Sequence, residues 1–81
     1  MDTPINQRVK VWAVFDNGIL PIAMDWNNRR VKFKNLIFKS SHRVGEKRFV
    51  NLVCQSETAS FELEFDSESY VWWLKKVIPA E

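Results

Sequence analysis

Ser60-Phe61-Glu62-Leu63-Glu64-Phe65-Asp66 is the stretch that decides the fold. Phe61, Leu63 and Phe65 alternate with Glu62, Glu64 and Asp66. Successive side chains of an extended chain point to opposite faces, so a period of two over this length reads as a half-buried β-strand. Noisier versions of the pattern recur on both sides, cut by turn residues, and the chain reads as all-β.

Downstream, residues 70–78 form a closing strand, with Trp72 and Leu74 on one face and Val71, Trp73 and Val77 on the other. Upstream, residues 48–56 place Val50, Leu52 and Cys54 together. Residues 8–15 place Val9, Val11, Ala13 and Phe15 on one face. Asn17-Gly18 favours the positive φ angles of a type I′ hairpin turn into a second strand, Ile19–Trp26. Pro21 cannot donate to a ladder, which makes that strand an edge or places a bulge at its start. Asn27-Asn28 is a second turn able to take left-handed geometry. The third strand starts near Arg29, and Leu36-Ile37-Phe38 breaks its alternation, so a bulge is expected near Asn35. Residues 40–47 read as a polar loop.

The connections are too short for parallel crossovers. The expectation is a six-stranded antiparallel meander curled into a small, partly open SH3-like barrel. The runner-up is an open curved sheet whose apolar face pairs with a second copy. Residues 8–78 form the single domain, residues 1–7 a flexible N-terminal tail and residues 79–81 a C-terminal tail.

At 81 residues the core is small, but 46% of the residues are hydrophobic and 14% aromatic, enough for a self-supporting fold. One cysteine, Cys54, excludes an internal disulfide and a cysteine-built zinc site, and reads as a small buried hydrophobe. No run resembles a signal peptide or reaches membrane-spanning length, so the cytoplasm is the expected location and no membrane partner is expected.

Charge is segregated. Residues 29–48 carry eight bases and one acid, a net of +7, whereas residues 57–69 carry five acids and no base. Enzymatic apparatus is thin. Ser40-Ser41-His42 are neighbours on one segment, not an oriented triad, and His42 reads as solvated. Glu62 and Glu64 share a strand face about 7 Å apart, a spacing open to paired carboxylates, but a solvated face explains them. Neither a phosphate loop nor a metal-ligand spacing is present, so no enzyme, cofactor or metal is expected.

The basic segment is the better lead. Arg29, Arg30, Lys32, Lys34, Arg43, Lys47 and Arg48, with Trp26 to stack on nucleobases, would make a single-strand nucleic-acid surface. Trp12 and Trp73 are further rings that an outer face could expose. The competing reading is that these bases solvate the sheet, guard its edges or pair with Glu62 and Glu64. A third reading is a protein-interaction or homodimer surface built from Val71, Trp73 and Val77 and a free edge strand.

Val9-Lys10-Val11-Trp12, Trp26-Asn27-Asn28-Arg29-Arg30-Val31, Phe61-Glu62-Leu63-Glu64-Phe65-Asp66 and Trp72-Trp73-Leu74-Lys75-Lys76-Val77 occur in an order that resembles an uncharacterised bacterial family of short β-rich proteins, a domain of unknown function. The resemblance spans roughly residues 8–78. Asn28 stands where that family uses glycine and Phe61 where it uses tyrosine. The resemblance implies no activity and defines no site residue. Relatives that form tails of translesion-type DNA polymerase homologues lean it toward a DNA-repair setting.

Overall fold

The computed structural model describes residues 3–80. Seven strands follow one another: β1 (Thr3–Phe15), β2 (Ile19–Trp26), β3 (Arg29–Lys32), β4 (Asn35–Val44), β5 (Lys47–Gln55), β6 (Ala59–Asp66) and β7 (Val71–Pro79). They form one antiparallel sheet in the order β3-β2-β1-β7-β6-β5-β4. It is not closed into a barrel. The decisive alternation is borne out on β6, where Phe61 and Phe65 are each 3% exposed and Leu63 is fully buried.

The long first strand shapes the molecule. Its first half pairs with β7, from Thr3↔Val77 to Val9↔Trp72, and its second half with β2, from Lys10↔Asp25 to Phe15↔Ile19. One strand thus serves two neighbours in succession, and the β1–β2–β3 half folds over the inner face of β5–β6–β7. Met24 of β2 joins Leu52, Cys54, Phe61, Leu63, Phe65, Trp72 and Leu74 in one core, with Val31, Phe33 and Val77 against it. The Phe61 ring meets Trp26 edge-on at 5.8 Å and Phe33 at 6.0 Å, tying the two halves together.

Several expectations are corrected. There are seven strands, not six, because the third breaks at Phe33-Lys34. Those two residues link β3 and β4, the two ends of the sheet order. The Phe33 N–H donates to Ile22 O at 2.9 Å and the Lys34 N–H to Gln55 O at 2.6 Å, so the link holds both halves. The expected bulge lies between Leu36 and Phe38. Residues 40–44 are not a loop but continue β4, because Gly45-Glu46 turns the chain in two residues with Gly45 at φ +63°.

Residues 3–7 belong to β1 rather than to a tail, and Pro79 pairs with Ala59 at the end of β7. The expected tail residues 1, 2 and 81 lie outside the described residues. The first hairpin has a three-residue loop, Asp16-Asn17-Gly18, instead of a type I′ turn. Asn27 and Asn28 take φ of 52° and 62°, the left-handed pair that a two-residue hairpin requires. Pro21 sits at a register shift of β2, which spares the ladder a donor it cannot supply.

Candidate nucleic-acid interface

Pairing fixes which side chains share a face. Lys10↔Asp25↔Arg30 and Trp12↔Ala23↔Lys32 are successive rows across β1, β2 and β3. The row Val11↔Met24↔Val31 between them faces the core, so these two rows face outward. The Arg30 guanidinium lies 4.1 Å from the centre of the Trp12 ring and Lys10 Nζ 5.9 Å from it. Arg30 Nε also donates to Asp25 Oδ1 at 3.5 Å, a contact between exposed groups that does little to neutralise it. Arg29 and Arg30 line two open depressions, one of about 530 Å³ shared with Lys32, Lys34, Ser56, Glu57 and Thr58, the other of about 580 Å³ shared with Asp25, Trp26, Asn27 and Asn28.

The eight expected site residues do not form one patch. Arg29, Arg30, Lys32 and Lys34 gather around β3. Arg43, Lys47 and Arg48 lie at the far end of the β4–β5 hairpin. The extended chain from Lys34 to Arg43 spans about 30 Å at roughly 3.3 Å per residue, most of the molecule's 37 Å length. Lys47 is engaged there by Asp66, at 3.2 Å. Arg43 is the direct partner of Arg48, an opposition of like charges.

Trp26 is the clearest misplacement. It pairs with Arg29 on the core side, packs on Phe61 and is partly buried. Its indole Nε1 is buried without a partner among the described residues. The ring available beside the bases is Trp12, 38% exposed. Lys10 joins the group although it lies outside the basic segment; the signal that finds it is its place two residues before Trp12 on the outward side of β1.

The remaining candidates separate cleanly. His42 stacks on Phe49 with ring centres 5.3 Å apart, and its Nδ1 donates to Asn51 Oδ1 at 2.7 Å. Asn51 in turn donates to Glu64 Oε2 at 3.4 Å. Glu62 stands opposite Lys76 and Glu64 opposite Trp73, on the outer face of the sheet. Cys54 is fully buried, and burial pushes its thiol up to about 12, away from thiolate chemistry. No group of three or more metal-ligating side chains occurs among the described residues, nor any helix long and apolar enough to cross a membrane.

The surface strip expected on the closing strand is also revised. A bulge in β7 at Lys75 returns Val77 to the core, opposite Phe61, and leaves Val71 and Trp73 outside.

No family model, curated protein or solved structure matches this chain.

Proposed function

We propose that this chain is a non-enzymatic binding module for single-stranded nucleic acid, acting with little sequence preference through the outer face of β1, β2 and β3. The observation that carries the reading is Arg30 at 4.1 Å over Trp12, with Lys10 and Lys32 in the adjoining positions on the same face. A guanidinium plane on an indole is a stacking platform for any base, and the flanking ammonium groups can meet successive phosphates. Arg29, which shares the core side with Trp26, lines both depressions and Lys34 lines one, adding positive charge beside that face. The short link between β3 and β4 favours viewing the curled sheet as an open variant of the SH3-like barrels, a shape that suits such surfaces. The family resemblance, with its DNA-repair leaning, points the same way, and a cytoplasmic setting fits it.

Fluorescence anisotropy with labelled single-stranded DNA, RNA and duplex DNA at two salt concentrations tests this. Binding to single strands that weakens steeply with salt, and that is weaker with a shallower salt slope in R30E/K32E, is the expected result. Absence of binding at low salt by the folded, non-aggregated protein overturns it.

A second reading, association with protein through a free edge strand, is favoured by β4, which is exposed from Ile37 to Val44.

A further inference from the structure

β4 ends the sheet order, so one of its edges has no partner among the described residues. Natural proteins seldom leave a long edge both open and apolar. This edge is mixed: Lys39 and Arg43 guard it, yet Ile37, Phe38 and Val44 stand 55%, 56% and 62% exposed along it. We infer that β4 pairs antiparallel with β4 of a second copy, Ser40 facing Ser40 across a two-fold axis, to make one continuous sheet.

Backbone geometry selects the register. The two-residue turn Gly45-Glu46 closes on the pair Val44↔Lys47. Residues flanking such a turn exchange hydrogen bonds, and along an antiparallel ladder bonded and non-bonded pairs alternate. His42, Ser40 and Phe38 therefore spend their backbone groups on β5. Lys39, Ser41 and Arg43 turn theirs outward. A second strand must match these outward residues with outward residues of its own. With Ser40 on the axis, Lys39 meets Ser41 of the copy and Ser41 meets its Lys39.

Charge then excludes the neighbouring registers. One pair step in one direction sets Lys39 against Lys39 of the copy, and one step in the other sets Lys39 against Arg43. Like charges directly opposite are destabilising. Longer slips either leave Phe38 unpaired or bring the bulge at Ile37 to the centre. The bases that guard this edge against indiscriminate pairing thus leave one register open, which is how specificity by repulsion works.

Side chains agree with this choice. In the Ser40-centred register, Phe38 opposes His42 of the copy in a non-bonded pair, where side chains approach most closely. His42 is already stacked on Phe49. Each exposed Phe38 would extend that stack in the other protomer, on the outer face in both.

The test is symmetric cross-linking. Facing residues in a non-bonded antiparallel pair have Cα atoms about 4.5 Å apart, within the range of about 4.4–6.8 Å that a disulfide spans. Under mild oxidation S40C should form a covalent dimer of twice 9.6 kDa. Buried Cys54 stays silent, so the wild-type chain serves as the control. S41P removes an outward N–H without touching the β4–β5 ladder, so it should remain folded by circular dichroism but run as a monomer in light scattering, where the wild type runs as a dimer. A wild-type monomer at all concentrations, or S40C that cross-links no faster than K39C, overturns the proposal.

Discussion

Asp66 ends β6, and its Oδ1 accepts from the backbone N–H groups of Glu68 at 3.0 Å and Ser69 at 3.3 Å. Lys47 donates to the other oxygen at 3.2 Å. The Glu68 amide first, then Ser69 and Lys47, hold the carboxyl at about 2 against an ordinary 3.8, with desolvation opposing them. A carboxyl whose folded value is depressed contributes stability above its unfolded value and loses it as pH falls toward the folded one. Stability from Asp66 is therefore complete above about pH 4 and lost toward pH 2. Acid titration of the unfolding free energy should show this limb, and D66N should flatten it; an unchanged limb in D66N would remove Asp66 as its source. Trp26 yields a prediction of a different kind. Its unpartnered Nε1 carries a desolvation cost of about 1–3 kcal/mol. Trp26→Phe removes that donor while keeping an aromatic ring against Phe61, so denaturant melts should place the variant within about 1 kcal/mol of wild type. Strand binding should be unaltered, because Trp12, not Trp26, is the exposed ring.

Among the elements, β6 carries the fold, because Phe61 meets rings from both β2 and the β3–β4 link. Phe61→Ala should cost about 3–5 kcal/mol, read as a drop in the urea midpoint. Most strands were legible for the reason β6 was: one face is wet and the other is dry, so composition alternates with the pleat. Breaks of register leave no such mark. A bulge adds one residue and inverts every assignment beyond it, and no residue type marks it reliably. Alternation alone sets Val77 outside, whereas the bulge at Lys75 puts it against the core. Val77→Asp should therefore destabilise by about 1–3 kcal/mol, whereas Trp73→Ser on the outer face should cost less; equal losses in thermal melts would contradict the bulge. β4 is hidden for a different reason. Ser40, Ser41 and Arg43 look like loop residues because an edge strand exposed on both sides has no dry face to impose alternation. The bases of the site were visible by type alone. Their division was not, since it depends on where one segment turns into two strands.

At the scale of the whole molecule, that division makes the binding proposal quantitative. By sequence the basic segment is one patch carrying +7, but Arg43, Lys47 and Arg48 stand at the far end of the β4–β5 hairpin, about 30 Å from Lys34. A ligand engaging only the β3 end should release counterions there alone. Each phosphate contact on a single strand contributes about −0.7 to the slope of log affinity against log salt. R30E/K32E should reduce that slope by about two contacts and weaken binding to every sequence alike, while R43E/R48E leaves the slope near the wild-type value. R43E/R48E also relieves nothing that the β3 site uses, although it replaces one like-charge opposition by another, so its fold serves as an internal control. If instead both double variants lower the slope equally, one strand must run the length of β4 between the two groups. The interface would then extend along the edge that a second copy would pair with, and the two partners would compete for it. Measuring the slope at protein concentrations above and below the dimer transition separates these cases. A slope independent of dimerisation confines the nucleic acid to the β3 end, and affinity that falls as the dimer forms places it along β4.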